Sequence, residues 1–142
     1  MNENTEEFET YTIEVRYDRQ TKLPVFQRAR LGNMRQDLPD GTPSEIGYDE
    51  LGRIKYMARR LADEPHCEDG PAIVHVDPET GVHVSELFFL QGNPYPAERG
   101  PKHITRHSQT GEIVDEFYGD PPPDSSSPLT GRSPKGGIEP KP

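Results

Sequence analysis

One period runs through most of this chain and constrains its fold more than any other feature. Gly41, Gly70 and Gly100 are each followed within two residues by proline, at Pro43, Pro71 and Pro101. Eleven residues after each of these glycines stands another: Gly52, Gly81 and Gly111. A further mark recurs at Gly32-Asn33, Ala62-Asp63 and Gly92-Asn93, and Leu31, Leu61 and Leu90 fall just before it. Tyr17–Lys22 reads as a degenerate first copy of the segment ahead of the second glycine, which is spelled Val76-Asp-Pro-Glu-Thr-Gly81 in its fullest form. Marks that share one step define an internal repeat of about 30 residues, present three times with a partial fourth. A unit this short cannot bury its apolar face alone and must stack on its neighbours.

Each unit reads as a β-hairpin. Tyr11, Ile13, Val15 and Tyr17 alternate with Thr12, Glu14 and Arg16, and Ala72, Val74 and Val76 repeat the alternation; this is the period of a half-buried strand. The second strands begin near Leu23, Ile54, Val82 and Ile113. In Asp77-Pro-Glu-Thr-Gly81 the Asp side chain can bond the backbone two residues on, Pro presets φ, and Gly takes the left-handed position that closes a hairpin through a bulge. The Gly-Asn and Gly-Pro segments are then expected to form a longer loop to the next hairpin. Residues 49–62 also carry helical spacing at Leu51, Ile54, Met57, Ala58 and Leu61, but Gly52 and the alignment to the other units favour strand. Residues 11–118 hold 26 Ile, Leu, Val, Phe and Met plus six Tyr, enough for one covered sheet face rather than a two-sheet core. The expected fold is therefore mainly β: an antiparallel single-layer sheet of stacked β-hairpin repeats over residues 11–118.

The flanks read differently. Residues 1–10 carry four Glu and no base, a flexible acidic head without the basic and apolar regions of a signal peptide. Residues 119–142 hold two aliphatic side chains among Pro, Ser and Gly, too little apolar surface to offset the entropy of ordering, so a disordered tail is expected. The formal net charge of −9 is unevenly spread: residues 11–60 hold ten basic and seven acidic side chains, residues 61–118 three basic and eleven acidic. That acidity argues against direct nucleic-acid binding, which needs clustered Lys and Arg. No apolar run is long enough to span a bilayer. With one cysteine and no leader, the expected compartment is the cytoplasm.

His66-Cys67-Glu68-Asp69-Gly70-Pro71-Ala72 resembles the His-Arg-x-Asp-Gly-Pro-Ala core of a repeat family of bacterial and phage proteins, itself similar to a long variant of the MORN repeat. Gly92-Asn93 with Glu98-Arg99-Gly100-Pro101, and Asp40-Gly41-Thr42-Pro43, match the same core more loosely, and the resemblance covers about residues 11–118. It implies a curved single-layer sheet of hairpins acting as a contact surface. The acidic charge opposes attraction to anionic lipid, so no membrane partner is expected.

The residues suggest no catalytic constellation. Five histidines are scattered, with no second cysteine and no paired ligand spacing of the kind a metal site needs; neither a metal nor a cofactor is expected. If the hairpins stack, His75 and His103 fall on neighbouring strands. Cys67 lies among Asp63, Glu64, Glu68 and Asp69, and negative surroundings raise a thiol's pKa. Arg28, Arg30, Arg59 and Arg60 precede the Leu31 and Leu61 marks and would form a basic stripe on stacked hairpins. Phe88 and Phe89 replace them in the third unit, in a run with Leu87 and Leu90 too apolar for one-sided burial. These six residues are the candidate partner-binding positions. The sequence thus points to a non-enzymatic protein-interaction module or adaptor, acting on another protein or on further copies of itself. The alternative is a small acidic inhibitor from a phage or mobile element that blocks a host nucleic-acid-handling or defence complex.

Overall fold

The computed structural model describes residues 7–119, so the expected tail, Gly119 apart, and most of the acidic head lie outside the described residues. Four hairpins follow one another: β1 (Tyr11–Tyr17) with β2 (Pro24–Leu31), β4 (Glu45–Tyr48) with β5 (Ile54–Ala58), β8 (Ile73–Val76) with β9 (His83–Leu87), and β12 (His103–Arg106) with β13 (Ile113–Phe117). They join edge to edge in the order β1-β2-β4-β5-β8-β9-β12-β13, all neighbours antiparallel. The described residues form no helix; residues 54–58 of the segment with helical spacing are strand β5.

The hairpin turns share one construction. Asp18, Asp49 and Asp77 each accept two backbone N–H groups of their own turn through Oδ1, and the imidazole Nδ1 of His107 does the same in the last unit. The closing residue is left-handed in every case: Lys22 (φ +67°), Gly52 (+81°), Gly81 (+78°) and Gly111 (+79°). Lys22 is therefore a strained member of a glycine column. A register shift follows at the equivalent place in each first strand, after Arg16, Gly47, His75 and Thr105, the bulge that turn predicts.

The segments between hairpins are not plain loops. After its second strand each of the first three units folds a smaller two-residue ladder: β3 (Met34–Arg35) on the end of β2, β6 (Arg60–Leu61) with β7 (Glu64–Pro65), and β10 (Phe89–Leu90) with β11 (Asn93–Pro94). Their tips are Gly32-Asn33, Ala62-Asp63 and Gln91-Gly92. The third tip sits one residue earlier than the Gly92-Asn93 mark, in line with Leu90. Ala62, Asp63, Gln91 and Gly92 all have positive φ, as tight two-residue connections demand.

These small ladders interlock successive units. Asp63 N–H donates to the Arg35 carbonyl and Gly92 N–H to the Pro65 carbonyl, both at 2.9 Å. Ala62 N–H donates to Gln36 Oε1 at 2.8 Å and Gln91 N–H to His66 Nδ1 at 2.9 Å. Gln36 and His66 hold equivalent places, so the histidine of the His-Cys-Glu-Asp-Gly-Pro-Ala segment serves as an inter-unit acceptor.

The core is thin. Pairing places Val15, Gln27, Ile46, Met57, Val74, Glu86, Ile104 and Glu116 in one row across the sheet, hence on one face. Ile46, Val74 and Ile104 in that row, with Ala29, Ser44 and Ala72 two residues along, are buried. The opposite face has a smaller buried patch at Ala58 and Glu45, so the sheet is covered mainly, not solely, on one side.

Candidate interaction surface

On the more buried face a cleft of about 580 Å³ opens between two units. Met57, Ala72 and Val74 floor it; Asp37, Gly41 and Arg59 form one side, and the His66–Pro71 segment the other. Asp37 accepts Ser44 N–H at 2.9 Å and Arg60 N–H at 3.0 Å, with the Arg59 guanidinium at 3.4 Å. Partial burial still pushes its carboxyl pKa above the ordinary aspartate value. Cys67 occupies the equivalent place one unit on. Burial pushes its thiol up, and the Asp69 carboxylate that accepts the S–H at 3.4 Å adds to the effect.

Tyr95 fixes the far wall. It is 7% exposed and stacks against Phe88 at 5.3 Å between centroids. Its hydroxyl donates toward the carbonyls of Cys67 (3.3 Å) and Gly70 (3.5 Å). Arg99 lies over its ring at 4.8 Å and donates to the Glu68 carbonyl.

The four arginines are not one stripe. Arg28 and Arg30 both bind the Glu14 carboxylate. Arg60 lies on the same face as these two, opposite the cleft, where it meets Glu45 at 3.4 Å beside Arg35. Only Arg59 of the four rims the cleft. Phe88 and Phe89 are both half-buried; Phe88 is covered by Tyr95, and the Phe89 carbonyl accepts Cys67 N–H at 3.1 Å.

His75 and His103 are not on neighbouring strands: β9 lies between β8 and β12, because each hairpin puts its second strand next to the following unit, and the two histidines share only a face of the sheet. His75 tilts against Tyr56 at 5.3 Å, and His103 Nε2 lies 2.8 Å from Ser85 Oγ. Burial lowers the His103 pKa, Asp115 opposes this, and nearby His75 adds to the lowering. A histidine that ionises less readily folded than unfolded contributes stability above its ordinary value of about 6.5 and loses it as pH falls through the folded pKa. Urea unfolding is therefore expected to show lower stability at pH 5.5 than at pH 7.5, with a smaller difference in His103→Gln. An identical difference in the variant would assign the effect elsewhere.

Sequence reasoning missed the two buried carboxylates. Glu45 is held by Arg35 and Arg60. Glu86 is held by Arg106 at 3.2 Å and His83 at 3.1 Å. Aligning units would have shown Glu86 standing where Met57 stands in the preceding one. Among the described residues no three His, Cys, Asp or Glu side chains are grouped to hold a metal ion, and no helix is long and apolar enough to cross a membrane. No family model, curated protein or solved structure matches this chain.

Proposed function

We propose that the chain is a non-enzymatic protein-interaction module that seats an extended segment of a partner protein in the cleft. The observation that carries this reading is the cleft's construction: an apolar floor of Met57, Ala72 and Val74 set between two loops of successive units, with Asp37, Arg59, Glu68 and Asp69 around it. An apolar base with a few oriented polar groups is the usual form of a binding groove. The resemblance to a repeat family of contact surfaces agrees with it, and Phe88 extends the same sheet face toward the next unit.

Glu68 is 80% exposed at its side chain, so Glu68→Arg changes the groove without touching the core. With Arg59→Glu it forms a charge-altered pair of variants. Capture from the native cell, quantified by mass spectrometry, is expected to lose at least one specific partner by about tenfold in these variants, the scale of one or two lost interface contacts. Equal recovery of every partner by parent and variants would overturn the cleft assignment.

The exposed carboxylates of the second half, including Glu68, Asp69, Glu98 and Glu112, favour one other reading: an acidic inhibitor occupying the basic groove of a nucleic-acid-handling complex. It expects capture that collapses between about 50 and about 500 mM salt. Retention at high salt counts for the cleft and against the inhibitor.

A further inference from the structure

Every junction between hairpins obeys one register. Residues 26–28 pair with 47–45, residues 56–58 with 75–73, and residues 85–87 with 105–103. In the same columns the last strand, β13, offers Asp115, Glu116 and Phe117, and the first, β1, offers Arg16, Val15 and Glu14. Among the described residues neither outer edge is paired. We infer that the β13 edge of one copy accepts the β1 edge of a second, continuing the sheet head to tail from chain to chain. This surface is separate from the cleft and does not depend on the function proposed above.

Three observations support a second copy as the occupant. Continuing the register sets Asp115 against Arg16, an opposite-charge pair between two exposed side chains, and opposite charges directly across a ladder are favourable. It sets Glu116 against Val15, a pairing with an internal precedent in Glu86 against Ile104. The outward backbone groups also fall in phase. Ala29, Arg59 and Phe88 donate N–H to the next hairpin at Ser44, Ala72 and Lys102, and Tyr118 and Ile13 are their counterparts at the two ends.

The ends match in bulk as well. The β1 end belongs to the half with excess base and the β13 end to the half with eleven acidic residues against three basic. Both edges leave apolar side chains exposed: Ile13 and Tyr17 on one, Val114, Phe117 and Tyr118 on the other. Because the two joined patches differ, the contact is heterologous and grows an open row unless the geometry closes it.

Sedimentation velocity of the full chain from about 10 µM to about 1 mM tests this, since mass action makes association visible as concentration rises. The weight-average sedimentation coefficient is expected to climb, and to climb less in high salt. Asp115→Arg and Arg16→Asp should each weaken association by about three- to tenfold. In a mixture of the two variants both junctions between unlike chains carry opposite charges while those between like chains do not, so the mixture should associate as alternating chains to about the parental extent, and the double variant should regain parental behaviour. Glu116→Pro, which removes an outward N–H, should block association while circular dichroism stays parental. A monomer across the whole range, or charge variants that associate like the parent, overturns the proposal. So does a mixture that behaves as its separate components.

Discussion

Arg106→Ala is expected to destabilise the fold by about 2–4 kcal/mol, lowering the melting temperature by on the order of 10 °C for a domain of this size. Glu86 sits between Val74 and Ile104 in the buried row and is 8% exposed. Arg106 supplies two guanidinium nitrogens within 3.2 Å of its Oε1. Deleting that partner leaves a largely desolvated carboxylate with only His83 beside it. Arg106 itself keeps 28% exposure, which places the cost in the lower part of the range for breaking buried pairs. The column supplies the rescue: Met57 occupies the same place one hairpin earlier, so Glu86→Met should fit. Glu86→Met combined with Arg106→Ala is expected to return to within about 1 kcal/mol of the parent or to exceed it, because an apolar replacement for a buried ion pair is commonly neutral or stabilising. Urea unfolding of the two variants decides the matter. A loss of under about 0.5 kcal/mol in Arg106→Ala would mean the pair behaves as a solvated surface bridge.

Tyr95→Ala is expected to cost about 3 kcal/mol, the low end for emptying a buried aromatic site. It removes the contact with Phe88, uncovers Arg99 and frees the Cys67–Gly70 segment from its hydroxyl anchor. Tyr95→Phe separates the parts: it keeps the ring and should cost about 1 kcal/mol, the usual net value of a hydrogen bond. Because that anchor holds one wall of the cleft, both variants should exchange the backbone amides of residues 66–72 faster, with Ala the larger effect. Hydrogen exchange that leaves this segment unchanged in Tyr95→Ala would show that the wall is held by other contacts. Cys67 N–H to the Phe89 carbonyl is the first of those.

The turns were the most legible part of the chain, because an Asp and a Gly at fixed spacing carry their own geometry into the sequence. They identified the strands and ruled for strand over helix at Ile54–Ala58. The small ladders were not legible. Two paired residues have no period, and beyond the first tip, Gly32-Asn33, the connections place Ala62, Asp63 and Gln91 at positive φ, where glycine or asparagine would have signalled the turn. That is also why Gly92-Asn93 misled by one position while Leu90 did not. The arginines illustrate a different limit. Residue type predicts a positive charge, but Arg28, Arg30 and Arg60 spend it on Glu14 and Glu45, and the pleat turns Arg59 to the other face. The cleft depends on two loops separated by a whole unit, which only the folded register brings together.

Each hairpin bonds to the one before it and the one after it, and the small ladders repeat the same rule. Cooperativity in such a molecule is carried by a row of nearest-neighbour couplings, as in a zipper, rather than by a common centre. Weakening one coupling, whether at Gln36 with Ala62 or at His66 with Gln91, divides the row at that point. Folding can start from any hairpin and spread both ways, so the two ends, each with one neighbour, are the places where opening begins.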